Sequence, residues 1–206
     1  MALVAHQTTL PGALLLEPRV FPDDRGFFCE TYRAAELAEH GIIESFVQDN
    51  HSRSARGVLR GLHFAVGAGT SKLVRCGRGV IVDVIVDLRR GSPAYGRWEA
   101  HELSDANMNV LYVPTGFAHG FCVISDIADV LYKQSDYYDP EFERGIAWDD
   151  PDVAVEWPLP RDEVSVSQRD RDAPRLAELA DALPFEFGAP TAGAARGDLA
   201  DPPGHR

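Results

Sequence analysis

The stretch GVLRGLHFAVGAGTSKLVRCGRGVIVDVIVDL, residues 57–88, decides how the chain folds. It reads as strand, Gly-rich turn, strand, tight turn, strand. Over residues 80–88, Val80, Val82, Val84, Val86 and Leu88 alternate with Ile81, Asp83, Ile85 and Asp87, a period of two that marks an extended strand with two distinct faces. Strict alternation over residues 59–65 puts Arg60 and His63 on opposite faces. To act together they need either a bulge at Gly61 or an Arg60 that curls around an edge, and a glycine inside a strand is a common bulge position. Lys72 opens the next strand. Residues 50–82 contain no Asp or Glu, in a chain with 32 acidic residues and a net charge of −12. A basic island in an acidic protein predicts a site for an anion, because a solvated face normally mixes signs.

The strand rhythm continues on both sides. Residues 46–51 read as a strand running into a polar turn, with Gln48 and Asn50 on one face. Their amides are suited to reading a uracil-like or sugar ring, and equally to capping the next turn. Strands follow near 96–103 and 110–113. Pro114-Thr115-Gly116 then turns the chain into residues 117–124, which point His119, Phe121 and Val123 to one face. In residues 130–134, Tyr132 shares a face with Val130 and Gln134. Short strands at turn-marked intervals from 46 to 135 predict an all-β antiparallel sandwich or barrel.

Upstream, residues 3–10 and 13–20 read as strands joined at Pro11-Gly12. FPDDRGFFCETY then places Arg25 at a turn and Phe28 and Glu30 on the strand leaving it. Residues 34–40 form a short helix stopped by Gly41. Downstream, residues 136–170 are irregular and rich in Asp, Pro and Trp, as lids and packing covers are. Asp172-Ala173-Pro174 opens a helix with Leu176, Leu179, Ala180 and Leu183 as its apolar stripe. Residues 1–187 read as a single domain, and 188–206, rich in Gly, Pro and small residues, as a disordered tail.

Composition bounds the function. With 206 residues, 45% hydrophobic and 25% charged, the chain reads as a soluble globular protein with a full core. A pI near 4.9 argues against nucleic acid or anionic membrane as partners. Cys29, Cys76 and Cys122 are widely spaced with no CxxC pair, which predicts reduced thiols instead of a disulfide framework or zinc ribbon. The N-terminus lacks a basic segment followed by a long apolar run, and the most apolar stretch is broken by Asp83 and Asp87. The expectation is a cytoplasmic protein.

Neither GxSxG, GxGxxG nor GxxxxGK[ST] occurs. His63 is followed by Phe64-Ala65-Val66, with no second imidazole two residues on, and His119 lies on a different strand, so no metal is expected. What remains is an imidazole, a lysine and a tyrosine on strands, with arginines for an anion. That set suits proton abstraction beside a carbonyl: a base removes the proton, a cation holds the enolate oxygen and a phenol returns a proton from the other side. Asp170, in Ser167-Gln168-Arg169-Asp170, is a candidate to orient the His63 ring.

Asp24-Arg25-Gly26, Gln48-Asp49-Asn50-His51-Ser52, Gly57-Val58-Leu59-Arg60-Gly61-Leu62-His63, Lys72-Leu73-Val74, Asp83-Val84-Ile85-Val86-Asp87 and Gly116-Phe117-Ala118-His119-Gly120-Phe121 resemble, in order and spacing, the dTDP-4-dehydrorhamnose 3,5-epimerase family. So do Tyr132-Lys133, Tyr137-Tyr138 and Trp148-Asp149-Asp150-Pro151. The resemblance implies a cupin jelly roll, a homodimer, no metal or other cofactor, and a dTDP-4-keto-6-deoxyhexose substrate inverted at C3, C5 or both. It implies that His63 is the base, Asp170 its partner, Tyr132 the general acid and Lys72 the cation beside the C4 carbonyl oxygen. Arg25, Glu30, Gln48, Asp49, Asn50, Arg60, His119, Glu143 and Arg169 match substrate-contact positions, and Tyr138 the ring that stacks on thymine. The chain departs from the pattern at Arg169, where a lysine is usual, and at Ala65 and Thr70, where glutamines are common. Two other functions compete: a sugar-nucleotide 3,4-ketoisomerase, and a non-catalytic sugar-nucleotide-binding cupin. Tyr132 and the His63–Asp170 pair argue against both, since pure binding needs no acid opposite a base.

Overall fold

Thirteen strands form within residues 3–189, the part of the chain described by this computed structural model. Eight make the central sandwich: β5 (Gln48–Ala55), β6 (Leu59–Ala65), β7 (Lys72–Arg78), β8 (Val80–Asp87), β9 (Trp98–Ser104), β10 (Val110–Val113), β11 (Phe117–Val123) and β12 (Ile127–Gln134). First pairs with last, second with seventh, third with sixth and fourth with fifth, all antiparallel. This nesting is a jelly roll. β1 (Val4–Gln7) and β2 (Leu14–Glu17) extend one sheet to the order β1-β2-β10-β7-β12-β5, and β13 (Glu143–Gly145) extends the other to β13-β6-β11-β8-β9. β3 (Val20–Asp23) and β4 (Gly26–Cys29) form a separate hairpin.

The alternation read in residues 80–88 explains the layering. Ile81 and Ile85 enter the core between the sheets with Val74, Leu111, Phe117 and Val130. Val84, Val86 and Leu88 face the other way and are covered by Ile146, Val153, Leu176, Leu183 and Phe185 from the C-terminal segment. Each such side chain contributes about 1.5–3 kcal/mol by leaving water, so both faces of β8 hold the fold. The outer face of the six-stranded sheet packs Leu16 and Leu73 against Leu37 of α1 (Ala34–Glu39) and Ile42. That helix ends as predicted, with Gly41 at φ +83° and its N–H bonded to the Ala38 carbonyl.

Gly61 is the site of a bulge. His119 pairs with His63 while Phe121 pairs with Arg60, so one residue of β11, Gly120, faces two of β6, Gly61 and Leu62. Gly61 has φ +144°, and a Cβ there would lie 2.5 Å from the Gly120 Cα. Of the two ways to bring Arg60 and His63 together, the chain uses this one.

Several local readings change, among them the strand read at 46–51, which runs over Gln48–Ala55 with no turn at 50–51. The helix expected from Asp172 begins later: α2 (Gln168–Arg171) precedes an extended link, then α3 (Leu176–Leu179) runs into a 3-10 turn at Ala180–Ala182. Pro174 keeps Ala173 out of the helical region and cannot donate, so the helix waits until after it. Leu176 and Leu183 are nevertheless buried, as the stripe predicted. Within the irregular 136–170 region, β13 forms because Glu143, Arg144 and Gly145 pair with Ala65, Phe64 and His63, a partnership three residues cannot announce by periodicity. The strands expected over 3–10 and 13–20 are shorter, at Val4–Gln7 and Leu14–Glu17. Of the expected tail, residues 190–206 lie outside the described residues; the Phe187 N–H bonds the Arg90 carbonyl and the Ala189 N–H bonds that of Glu186. Among the described residues, no helix is long and apolar enough to cross a membrane.

Candidate active site

A cleft of ≈ 560 Å³ opens between the two sheets, within the size range of ligand sites. β6 sends in Arg60 and His63, β11 His119 and Phe121, and β13 Glu143. The opposite sheet sends in Ser52 from β5, Lys72 from β7, and Tyr132 and Gln134 from β12. Residues 165–170 close one wall with Ser167, Arg169 and Asp170, and Tyr138 stands at the rim. Of the residues singled out in the sequence, the fold gathers Arg60, His63, Lys72, His119, Tyr132, Tyr138, Glu143, Arg169 and Asp170 around this one space.

His63 Nε2 lies 2.6 Å from Asp170 Oδ1. A carboxylate only accepts, so Nε2 donates and Nδ1 carries the lone pair. Asp170 is held in place from below: it sits in the first turn of α2, its N–H bonded at 3.1 Å to the oxygen of Ser167, the N-cap residue. Burial pushes the Asp170 carboxyl up, but the His63 hydrogen bond and charge, helped by Ser167 and the Gly61 backbone, outweigh it and leave the group below its ordinary value. It therefore stays ionised against the ring.

Lys72 is buried and makes no side-chain hydrogen bond or ion pair among the described residues. Burial drives its ammonium pKa down, while the Glu143 and Asp83 carboxylates pull it back up. A desolvated cation with no partner of its own is suited to an oxygen that gains negative charge. Burial also raises the Tyr132 phenol, with Glu143 adding to the effect and Arg60 opposing it. Tyr132 thus keeps its proton at neutral pH, the form a general acid requires. His119, next to His63 in the ladder, is fixed by Asp83 at 2.9 Å. The described residues contain no group of three His, Cys, Asp or Glu placed to hold a metal ion.

Besides Lys72, two arginines face the cleft and are suited to an anion. Arg60 touches the Ser54 hydroxyl at 3.1 Å, and Arg169 lies on the wall beside Asp170. Arg25 is elsewhere: it sits on the β3–β4 hairpin, 89% exposed and paired with Asp23. Glu30 follows the same hairpin and pairs with Arg33 at 2.6 Å. Asp49 points to the outer face of β5 and binds Lys133 at 2.8 Å. A single chain does not bring these three to the cleft. Gln48 and Asn50 share an inward face as expected and bond each other at 2.9 Å, reaching the cleft through Gln134. Sequence reasoning left Ser52, Phe121, Gln134 and Ser167 without a role at the site. Gln134 carried a signal, its two-residue spacing from Tyr132, and Ser167 another, the N-cap spacing to Asp170.

The family model for dTDP-4-dehydrorhamnose 3,5-epimerase matches residues 7–178. The dTDP-4-dehydrorhamnose 3,5-epimerase of Pseudomonas aeruginosa is 50% identical over 181 residues, covering 87% of this chain and 99% of that one. The dTDP-4-dehydrorhamnose 3-epimerase of Streptomyces niveus is 43% identical over 175 residues, 84% of each chain. The crystal structure of a dTDP-6-deoxy-D-glucose-3,5-epimerase from Legionella pneumophila, in complex with dTDP-4-keto-L-rhamnose, superposes with a TM-score of 0.88 at 41% identity, covering 91% of this chain and all of that one. With a jelly roll built on the predicted strands and a match over nearly its whole described length, this chain belongs to the dTDP-4-dehydrorhamnose 3,5-epimerase family.

Proposed function

We propose that the protein is an isomerase that epimerises a dTDP-4-keto-6-deoxyhexose at C3, C5 or both. The observation that carries this reading is an acid and a base on opposite walls of one cleft: the His63–Asp170 pair on the five-stranded side and Tyr132 on the six-stranded side. His63 Nδ1 takes the proton from the carbon next to the C4 carbonyl. The electron pair of that C–H bond moves into the carbonyl, giving an enolate whose oxygen Lys72 holds. Tyr132 then gives its proton to the opposite face of the same carbon, which inverts it. Solvent restores the phenol and removes the proton from His63. Arg60 and Arg169 take the diphosphate, and Tyr138 the thymine ring.

The site is completed by a second copy of the chain. Arg25 and Glu30, which the resemblance assigns to substrate, lie outside this cleft, on and just after a hairpin that exposes Phe27 at 58% and Phe28 at 64%. A homodimer in which each hairpin reaches the partner's cleft accounts for both facts. One domain over residues 1–187 carries the activity, and three unpaired cysteines suit a reducing, cytoplasmic setting.

The experiment is incubation with dTDP-4-keto-6-deoxyglucose in deuterated water, followed by NMR. Deuterium at C3, C5 or both together with inverted product is expected, and the label pattern reports which centres are processed. Exchange at neither carbon would remove the epimerase reading.

A further inference from the structure

A row of three amides runs from the rim of the cleft to its floor, and its first hydrogen bond fixes every later one. The backbone N–H of Tyr138 can only donate, and it meets Gln48 Oε1 at 2.8 Å. The other end of that amide is therefore its NH₂, which donates to Asn50 Oδ1 at 2.9 Å. The Asn50 NH₂ then donates to Gln134 Oε1 at 2.9 Å, with Gln48 Nε2 a more distant second donor at 3.5 Å. Amide orientation is ordinarily ambiguous from shape alone, but a chain anchored on a backbone N–H has one polarity. It leaves the carbonyl of Gln134 occupied and its NH₂ without a protein acceptor among the described residues.

Gln134 is only 5% exposed, yet it lines the cleft. It lies two residues from Tyr132 on the same face of β12, and it is the ladder partner of Lys72 on β7. Directly paired residues on neighbouring strands hold their side chains side by side. We propose that Gln134 is a catalytic residue whose NH₂ joins Lys72 in a two-donor cradle for the substrate oxygen that becomes the enolate oxygen. This rests on the epimerase reading of the cleft. The resemblance assigns no role to position 134, and it expects an amide at position 65, where this chain has Ala65. A neutral donor suits the task. It strengthens its bond as charge develops on the oxygen, and it adds no second desolvated cation beside Lys72.

Two variants test it. Gln134→Glu keeps an oxygen to accept from Asn50 and removes the donor; Gln134→Leu removes both ends. The rate of deuterium entry into dTDP-4-keto-6-deoxyglucose is measured beside the dissociation constant for dTDP alone. Loss of one preorganised oxyanion donor costs about 10²-fold or more in turnover, so exchange is expected to fall by about that factor in both variants. The dTDP affinity is expected to stay within about twofold, because the proposed donor serves the sugar oxygen and not the nucleotide. Wild-type exchange with either variant within about threefold of it overturns the role of Gln134. So does a loss of dTDP affinity as large as the loss of exchange, which marks a structural amide. Absence of exchange in the wild type instead overturns the epimerase reading, and this inference with it.

Discussion

At the scale of single residues, the two ends of the proton transfer have unlike consequences when removed. His63→Ala leaves no base, so neither deuterium uptake nor inverted product appears, with a rate loss of about 10²–10⁴. Tyr132→Phe still allows His63 to form the enolate and to return a proton to the side it left. Deuterium then enters with the original configuration while inversion collapses, which NMR of the recovered sugar nucleotide detects. Equal loss of exchange in both variants would place Tyr132 in binding. The arginines answer to a different measurement. Arg60→Ala and Arg169→Ala each remove a charge-assisted contact at the cleft, and each is expected to weaken dTDP binding by ~1.5–3 kcal/mol in titration calorimetry. Unchanged affinity in both would put the diphosphate elsewhere.

At the scale of elements, the bulge in β6 joins stability to chemistry. Gly61→Ala must adopt φ +144° and drive a methyl into Gly120 and the His119 carbonyl, 3.1 Å away, both of them backbone that cannot rotate aside. A cost of about 2–3 kcal/mol in urea unfolding is expected, with a fall in turnover because Arg60 and His63 no longer share a face. A variant as stable and active as the parent would mean that the bulge moves without cost. The pairing of β5 with β12 has its own signature. Hydrogen bonds from Arg53, at 2.6 and 2.7 Å, lower the Asp129 carboxyl to about 2, with His51 assisting. A group depressed in the folded state stabilises above its unfolded pKa, near 4, and loses that contribution as pH falls through the folded value. The melting temperature should therefore decline between about pH 4 and pH 2 less steeply in Asp129→Asn than in the parent. Parallel melting curves would show that the pair does not couple to folding.

At the scale of the whole molecule, the hairpin that leaves the sandwich is where assembly and catalysis meet. If each hairpin serves the partner's cleft, Arg25→Ala and His63→Ala damage different copies of a shared site. In a mixed dimer, one cleft combines an intact hairpin with an intact base, and the other has neither. Random re-association of equal amounts makes half the dimers mixed, each with one working cleft of two, so about a quarter of parental activity is expected to return. Two inactive variants that stay inactive after mixing, with subunit exchange verified by mass, would sink the shared site.

The sequence by itself determined the layers. The period of two in β8 and β12, the turns at Pro114-Thr115-Gly116 and the stop at Gly41 are local properties of the chain, and they appear where the residues demand them. It also narrowed the bulge to Gly61, since glycine alone takes that backbone freely. Only the tertiary structure decided which of the named side chains meet. His63 and Asp170 are 107 residues apart and are joined by a one-turn helix docked under β6. Arg25 and Glu30 carry residue types as apt as those of Arg60 and Glu143, and the single chain leaves them outside. The donor end of Gln134 follows from a relay that begins at a backbone N–H four residues further along the chain and passes through another strand. Periodicity fixes the face a side chain takes within its own strand. Which faces converge on one space is set by pairings between distant strands, and those carry no local signal.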